Sequence, residues 1–387
     1  MVRLGVSVYP EQETLKDIDT YLATASKYGF TKVFTSMFSV EGTKEEIISY
    51  FKNFTKIAHK YNMEVSGDCN GDFFKKMEAT ETDLSVFKEM GIDTIRMDFS
   101  FNDKRDAVLI NNKDGIKIEM STAFINIIEA AIANGADTHN LFTCHNFYPE
   151  KYTAPSLEAI NQLNNYWHSK GIPVAIFISS LVEGSHGPWP VSDGLPTIEE
   201  HRNWPIEVQL KHCLALDNID EILIGNAFAS EKEFEAIDKV MKEAFIHIPL
   251  NPSFGSMADF IPHGDIKRIP FSIKLEEGIT DLEKEILFQF STHSDMGDCL
   301  NYMLRSRWTR VIYKGKSIPV RPCNKTHYTR GDVVIVNDNL AHYRAEIQIV
   351  LKDIPVDGQR NLLGHISEEE ICFLDSIKGG DVFSFME

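Results

Sequence analysis

The chain has 387 residues, and 43% of them are hydrophobic, so it can bury a large core. Its formal net charge of −18 argues against nucleic acid as a main partner, because binding to a phosphate backbone requires a basic surface. No stretch reaches the roughly 18 apolar residues of a membrane span, and the N-terminus reads directly as a strand with no leader. We therefore expect a cytoplasmic protein that does not use a membrane.

Short apolar runs alternate with amphipathic stretches of helical period along the first two-thirds of the chain. The predicted strands are 4–10, 32–38, 63–69, 94–100, 116–121, 139–149, 173–180 and 221–228. A predicted helix follows each strand, and some of these helices carry clear boundary signals, such as the capping box at 43–46 or the stop at Gly135.

Eight consecutive βα units predict a (β/α)8 TIM barrel over residues 1–245, within the α/β class. A doubly wound open sheet is the alternative. It is disfavoured because no GxGxxG or P-loop motif follows any predicted strand.

The pattern changes after about residue 246. The stretch 249–270 reads as a loop, and β-type runs follow at 310–320, 331–337, 345–355 and 382–387. Residues 246–387 are therefore predicted to form a small, mostly β domain with helices near 280–290 and 296–304.

Polar side chains recur where the barrel strands are predicted to end, which is the face that carries the active site in barrels of this kind. The predicted site residues on this face are Tyr9, Glu11, Ser36, Asp68, Asp98, Glu119, His145, Asn146, Tyr148, Glu183 and Asn226. Each has an ordinary explanation, such as turn capping by Asp68, pairing of Asp98 with Arg96, or burial of His145. Polar groups are costly to bury unless they are paired, so their recurrence at one face favours a functional site.

The chemistry available at this face is that of carboxylates. The six cysteines are scattered, and no GxSxG, HExxH or CxxC motif is present, so we expect neither a metal nor another cofactor. Asp68 and Asp98 fall on adjacent predicted strands, roughly 5 Å apart along the barrel wall, which fits the short carboxylate spacing of a retaining mechanism. Two such carboxylates suit glycoside hydrolysis, one as acid and the other as nucleophile or base.

Two further features bear on ligand binding. The predicted loop 181–202 is long for a βα connection and carries Trp189, which could stack on a sugar ring. Three other aromatic side chains near the predicted mouth could do the same, namely Tyr9, Phe147 and Tyr148. A basic run at 305–321 stands out in so acidic a chain. Its residues Arg305 and Arg310 could hold a phosphate or carboxylate, or the run could be a solvated strand face.

The combination and order of several motifs resembles the 6-phospho-N-acetylmuramidase family of bacterial glycosidases over nearly the whole chain. The motifs are GVSVYPEQ, VFTSMFS, SGDCNGD, CHNFYP, EILIGNAFAS, RSRWTR, RGDVVIVN and LLGHISEEE. The resemblance implies a TIM barrel followed by a cyclophilin-like β domain, and a cytoplasmic enzyme of peptidoglycan recycling. It implies a 6-phosphorylated N-acetylmuramic acid–N-acetylglucosamine disaccharide as substrate, with a homodimer as one possible assembly.

The chain departs from the family pattern at two places. The pattern implies a glycine where this chain has Ala345, and an Asn-Arg pair near STHSDMGD that is absent here. The residues that hold the phosphate therefore stay unassigned at this point.

Two other functions stay open. One is a sugar-phosphate isomerase or epimerase that uses Glu119 and His145 as acid and base. The other is a non-catalytic sugar-phosphate-binding protein that uses the same pocket. The acetamido group of the implied substrate also permits a mechanism in which it attacks the anomeric carbon itself.

Overall fold

The structure is a computed structural model that describes residues 2–190, 193–250, 259–297 and 300–387. The chain divides into two compact units. The first comprises Met1–Cys213 and Asp217–Asp238, and the second comprises Leu214–Leu216 and Lys239–Glu387.

The first unit is a closed barrel of parallel strands that follow one another in chain order, with β1 pairing β8 to close it. The strands are β1 (Arg3–Val8), β2 (Phe30–Ser36), β3 (Glu64–Cys69), β4 (Thr94–Met97), β5 (Lys117–Ser121), β6 (Leu141–Cys144), β7 (Val174–Ile178) and β8 (Glu221–Ile224). The predicted TIM barrel is confirmed, because every strand is followed by helix and the sheet closes.

Helices alternate with these strands as the sequence pattern predicts. They are α1 (Leu15–Lys27), α2 (Lys44–Lys60), α3 (Gly71–Lys76), α4 (Ser85–Met90), α5 (Arg105–Ile110), α6 (Ile125–Ala133), α7 (Leu157–Ser169), α8 (Ile206–Leu216) and α9 (Glu231–Ala244). The capping box at the start of α2 forms both of its hydrogen bonds, between Thr43 and Glu46. Among the helices of the described ranges, none combines the length and apolarity needed to cross a bilayer.

The second unit is mostly β. Its strands are β9 (Phe245–Ile248), β10 (Gly264–Leu275), β11 (His293–Ser294), β12 (Met303–Ser306), β13 (His327–Tyr328), β14 (Asp332–Val336), β15 (Ile347–Val350), β16 (Ile354–Pro355), β17 (Arg360–Ile366) and β18 (Val382–Met386). The main sheet runs in the order β11-β18-β10-β17-β14-β15-β12, with β9 also on β10, and it nearly closes into a barrel. Two helices accompany it, α10 (Asp281–Phe288) and α11 (Trp308–Ile312), within the described residues.

Three local predictions in this unit were wrong. The stretch 249–270 was expected to be a loop, but β10 begins at Gly264 and pairs with both β17 and β18; residues 251–258 of that stretch lie outside the described residues. The predicted helix 296–304 is instead irregular chain leading into strand β12, where it is described. The predicted strand 310–320 instead begins in α11, which ends at Ile312, and continues as a turn and irregular chain. The β-type side chains of Val311, Ile312 and Tyr313 favoured a strand, but they lie in and just after a helix.

The departure at Ala345 has a backbone explanation. Ala345 adopts φ +69°, in the left-handed region that glycine occupies without strain, and its side chain is fully buried just before β15. A glycine at this position would therefore suit the turn that leads into the strand.

We predict that Ala345→Gly raises the free energy of unfolding by up to about 1 kcal/mol. Left-handed backbone costs a non-glycine residue about 1–2 kcal/mol, which exceeds the roughly 0.8 kcal/mol lost with one buried methyl group. Urea unfolding at pH 7 measures the change. The matched variant is Ala341→Gly, at φ −52°, which should lower stability by about 0.5–1 kcal/mol. Equal destabilisation by both changes would contradict the explanation.

Candidate functional site

Four polar residues lie at one level across neighbouring barrel strands. Ser36 on β2 is the register partner of Asp68 on β3, Asp68 of Arg96 on β4, and Arg96 of Glu119 on β5. Register partners in a sheet project from the same face. The row therefore brings these side chains together near the C-terminal ends of the strands.

Arg96 is the centre of this row. Its Nη1 donates to Asp68 Oδ1 at 3.0 Å, and its Nη2 donates a short hydrogen bond to Asn146 Oδ1. Its Nε lies 3.6 Å from Glu119 Oε1 and, within the described residues, makes no hydrogen bond. The guanidinium carbon also lies 5.9 Å from the ring centroid of Phe34. Arg96 thus orients Asp68 and Asn146 from a buried position.

Arg96 also lies near one end of a continuous series of ion pairs, which we call the charged column. Its members alternate in charge and run, in order of contact, through Lys117, Glu64, Arg3, Glu221, Lys32, Glu119, Arg96 and Asp68. Lys32 on β2 bridges Glu119 on β5 at 2.8 Å and Glu221 on β8 at 2.6 Å. Strands β2 and β5 are not neighbours, so this bridge crosses the barrel interior.

The middle of the column is the most deeply buried part. The side chains of Lys32 and Glu119 are each 2% exposed. Burial raises the pKa of Glu119, but Lys32 and Arg96 outweigh it and hold that pKa below its ordinary value. Burial lowers the pKa of Lys32, but the two carboxylates outweigh it and hold that pKa above its ordinary value. Lys32 and Glu119 are therefore both charged at neutral pH.

Asp68 and Asp98 differ in environment. Burial raises the pKa of the Asp68 carboxyl above its ordinary value; the adjacent Arg96 lowers it, and the nearby Asp98 charge raises it again. Asp98 is exposed, and within the described residues its carboxylate makes no hydrogen bond or ion pair. The chain thus places one carboxyl with a raised pKa near one that is exposed to solvent.

The two carboxylates are not level on their strands, which corrects the separation expected from the sequence. Asp68 is level with Arg96, and Asp98 lies two residues further along β4's path, with its amide bonded to the Cys69 carbonyl at 3.0 Å. This diagonal offset separates the two Cα atoms by about 8 Å. The ordinary explanation for Asp98, an ion pair with Arg96, is not observed within the described residues, where Arg96 pairs with Asp68.

His145 lies away from this row. Its Nε2 is 2.7 Å from Asn164 Oδ1 on helix α7, and its Nδ1 is 3.0 Å from Thr122 Oγ1. Asn164 Oδ1 can only accept, so Nε2 carries the proton and Nδ1 accepts from Thr122. Burial lowers the pKa of His145 to about 4, so the ring is neutral and both nitrogens are occupied.

A second group of predicted residues gathers after β7 and β8. Asn226 and Glu183 line a cavity of about 410 Å³ together with Lys151 and Arg202. The Asn226 Oδ1 accepts from the Ser179 hydroxyl at 2.9 Å. The cavity adds an amide and charged side chains to the mouth, but Asp68 and Asp98 do not line it.

The remaining barrel predictions fall in three settings. Tyr9 has no exposed surface and donates to the Gly225 carbonyl at 2.6 Å, so its ring cannot stack on a sugar. Glu11 is exposed and accepts from the Ser39 hydroxyl at 2.6 Å. Tyr148 is half-buried, and burial raises its pKa. Ser36 has a buried hydroxyl that makes no hydrogen bond within the described residues, so it is available beside Asp68.

An aromatic series reaches from the core to the surface. Phe34 and Phe147 both contact Phe177, with centroids 5.3 and 5.1 Å apart. Trp189 packs on Phe147 at 6.1 Å and is 49% exposed. The indole of Trp189, in the segment 181–202, therefore packs on Phe147 and is also accessible to solvent.

In the second unit, Arg305 and Arg310 share one buried carboxylate. Arg305 binds Glu346 in a bidentate pair, with its Nε at 2.5 Å and its Nη2 at 2.9 Å. Arg310 Nη1 lies 3.5 Å from Glu346 Oε2 and stands outside hydrogen-bonding geometry. Both guanidinium groups lie over the ring of Tyr343, at 5.6 and 5.0 Å. The pair of arginines therefore carries one more positive charge than Glu346 neutralises.

Sequence reasoning missed Arg96 and Lys32 as site residues. The signal for Arg96 was available, because strand alternation puts it on the same face as Asp98 two residues later. No local signal marks Lys32, whose partners are 87 and 189 residues away. Among the described residues, no three His, Cys, Asp or Glu side chains are arranged to hold a metal ion.

Two family models match the chain, and together they span most of it. The model described as "6-phospho-N-acetylmuramidase, N-terminal" matches residues 4–239, and the one described as "6-phospho-N-acetylmuramidase, C-terminal" matches residues 269–386. The chain belongs to the 6-phospho-N-acetylmuramidase family. Membership supports a glycosidase that acts on phosphorylated muramic acid derivatives.

Solved structures agree with the fold. An uncharacterised Bacillus cereus protein is 34% identical, with 100% of each chain covered and a TM-score of 0.84. A conserved Enterococcus faecalis protein of unknown function is 22% identical, with 100% of this chain and 96% of that chain covered and a TM-score of 0.66. No curated protein sequence matches.

We predict that Lys32→Met lowers the free energy of unfolding at pH 7 by about 3–5 kcal/mol, because it leaves Glu119 and Glu221 buried without their shared cation. Urea unfolding of both proteins measures the loss. The lowered pKa of Glu119 stabilises the native protein above about pH 4.3, the ordinary glutamate value, and this contribution is lost as pH falls through the folded pKa. The difference in the free energy of unfolding between wild type and Lys32→Met should therefore become smaller in acid.

The matched variant is Lys52→Met. Lys52 pairs with Glu89 at 2.7 Å, but both side chains are about half exposed, so its loss should stay within about 0.5 kcal/mol. Adding Glu119→Gln to Lys32→Met should recover part of the stability, since one unpaired charge is then removed. Similar losses from Lys32→Met and Lys52→Met would contradict the structural role of the charged column.

Proposed function

We propose that the chain hydrolyses the glycosidic bond of a 6-phosphorylated N-acetylmuramic acid–N-acetylglucosamine disaccharide, with Asp68 and Asp98 as the catalytic carboxylates. The observation that carries this proposal is the contrast between the two groups. Asp68 is mostly buried, with 13% of its side chain exposed and a raised pKa, and Asp98 lies nearby and is exposed. Glycosidases need one carboxyl that holds a proton and one that stays ionised.

In this proposal Asp68 is the general acid. Its proton passes to the glycosidic oxygen as the bond from that oxygen to the anomeric carbon breaks, and the leaving sugar departs neutral. Arg96 fixes the carboxyl through its 3.0 Å hydrogen bond. The resulting Asp68 carboxylate is stabilised by the same guanidinium and can then accept a proton from the incoming water.

Asp98 is the anionic partner at the anomeric carbon. It either forms the glycosyl bond itself or orients the substrate's acetamido group, whose oxygen then forms that bond. In both routes water completes the reaction and releases the phosphorylated muramic sugar. Asn146, which receives the second hydrogen bond of Arg96, supplies an amide for a sugar hydroxyl, and Trp189 supplies an exposed face for a sugar ring.

The isomerase alternative is weakened by the geometry of its two candidate residues. Glu119 is ion-paired with Lys32 inside the barrel, and both nitrogens of His145 are hydrogen-bonded, one to Asn164 on helix α7 and the other to Thr122 after β5. Neither group is positioned to take or give a proton at the mouth. The other alternative is a non-catalytic sugar-phosphate-binding protein. A turnover assay distinguishes it from the glycosidase.

The proposal includes a biological setting. A cytoplasmic enzyme of cell-wall recycling, with its second unit a cyclophilin-like β domain, fits the implied substrate. A homodimer, which the family resemblance implied as one possible assembly, is part of the same proposal.

We predict that Asp68→Asn and Asp98→Asn fail differently on two substrates. A 4-nitrophenyl β-glycoside of N-acetylmuramic acid 6-phosphate has a leaving group that needs no protonation, whereas the phosphorylated disaccharide does. Asp68→Asn should lower kcat/KM by about 10²–10⁴ on the disaccharide and far less on the nitrophenyl glycoside. Asp98→Asn should lower it strongly on both.

The matched control is Asp103→Asn, an exposed residue after β4 that pairs with Arg105, and it should leave both rates unchanged. The unphosphorylated nitrophenyl glycoside should not be cleaved. If pure, folded wild type releases nitrophenol from neither glycoside and does not cleave the disaccharide, the proposed reaction is excluded. If it nevertheless binds the phosphosugar, the binding-protein alternative takes its place.

A further inference from the structure

The second unit has a cleft of about 500 Å³ on the face formed by β12, β15 and β17. Among its lining residues are two arginines, Arg305 and Arg360, and no carboxylate. Its rim carries two accessible aromatic side chains, Tyr302 at 56% exposed and Tyr343 at 36%. In a chain with a net charge of −18, a cleft whose charged lining residues are both arginines, among those that the structure describes, is a local exception.

Buried side chains hold the floor of this cleft in place. Glu346 has no exposed surface, and Gln348 is 3% exposed. Glu346 binds Arg305 through both carboxylate oxygens and also accepts from Gln348 Nε2 at 2.8 Å. Gln348 Oε1 in turn accepts from Arg360 Nε at 2.8 Å. The four side chains form one connected network, so both guanidinium groups are preorganised.

Each arginine keeps one terminal nitrogen for a ligand. Arg305 uses Nε and Nη2 for Glu346, and Arg360 uses Nε for Gln348 and Nη1 for Asp357. Within the described residues, Arg305 Nη1 and Arg360 Nη2 donate no hydrogen bond. Two oriented donors with positive charge suit the oxygens of a phosphate.

The walls complement this polar floor. Tyr302, Tyr343, Leu300 and Met303 give the cleft a largely apolar and aromatic lining. Pockets for small molecules combine apolar walls with a few convergent polar groups, and aromatic rings pack against the faces of sugars. The arrangement fits a sugar ring between aromatic walls with an anionic substituent directed to the arginines.

We propose that this cleft of the second unit is a binding site for a phosphorylated amino sugar, with Arg305 and Arg360 on the phosphate and Tyr302 and Tyr343 on the ring. The ligand class rests on the proposed function of the barrel, whereas the site itself rests on the geometry of the second unit. The site extends the predicted role of Arg305 and adds Arg360, Tyr302 and Tyr343, which the sequence did not single out.

The test is isothermal titration calorimetry of the full chain with N-acetylmuramic acid 6-phosphate and with its unphosphorylated form. Wild type should bind the phosphorylated sugar more tightly by at least tenfold. Arg360→Met should weaken that binding at least tenfold and reduce the preference for phosphate, and Tyr302→Ala should weaken binding of both sugars. If the barrel also binds the sugar, wild type should show two binding sites. Arg360→Met and Tyr302→Ala should then each lose the site in the second unit and keep the site in the barrel.

Two matched controls separate binding from general damage. Tyr302→Phe keeps the ring and should bind as wild type does. Arg330→Met makes the same change at an arginine of the second unit that pairs with Asp375 outside the cleft, and it too should bind normally. The proposal is overturned if wild type shows no binding, or if Arg360→Met and Tyr302→Ala bind as tightly as their controls. Turnover of the chromogenic glycoside on the same preparations reports the barrel reaction separately.

Discussion

The charged column is the constraint on which the barrel site depends. Lys32 and Glu119 are almost completely buried, so neither charge is tolerable without the other. Each carboxylate in the column lies between two cations or at its end, and each cation contacts one or two carboxylates. The ion pairs of the column therefore all form only when β1, β2, β3, β4, β5 and β8 hold their register. The last ion pair of the column joins Arg96 to Asp68, so the packing of the barrel interior also sets the geometry around Asp68.

This arrangement explains how two aspartates on adjacent strands acquire different properties. Asp68 stands at the end of the column, where burial raises its pKa and a single guanidinium only partly offsets that effect. Asp98 lies two residues beyond Arg96, the register partner of Asp68, and is exposed to solvent. The diagonal offset sets this difference, since a level pair would share one environment. A carboxyl with a raised pKa close to an exposed carboxyl thus follows from strand register and burial.

The sequence was sufficient for the barrel and its rim, because strand alternation, helix caps and glycine stops are local signals. It could not give the column, because the contacts of Lys32 join residues from three strands far apart in the chain. Strand β10 was missed for a related reason: Lys267, Arg268 and Pro270 make the segment look like a loop, and only pairing with β17 and β18 stabilises it. His145 shows what a strand-end position leaves open, because its contacts with Thr122 and Asn164 come from residues 23 and 19 positions away in the chain.

The central claim is that Asp68 holds a proton more readily than an ordinary aspartate. The most direct measurement is an NMR titration of the protein with ¹³C-labelled aspartate carboxyls, with the Asp68 signal assigned by its loss in Asp68→Asn. The account predicts that Asp68 titrates above the ordinary aspartate pKa of about 3.9, and that its pKa rises further when Arg96 is replaced by methionine. A pKa at or below the ordinary value in the wild-type protein would contradict the assignment of Asp68 as the acid.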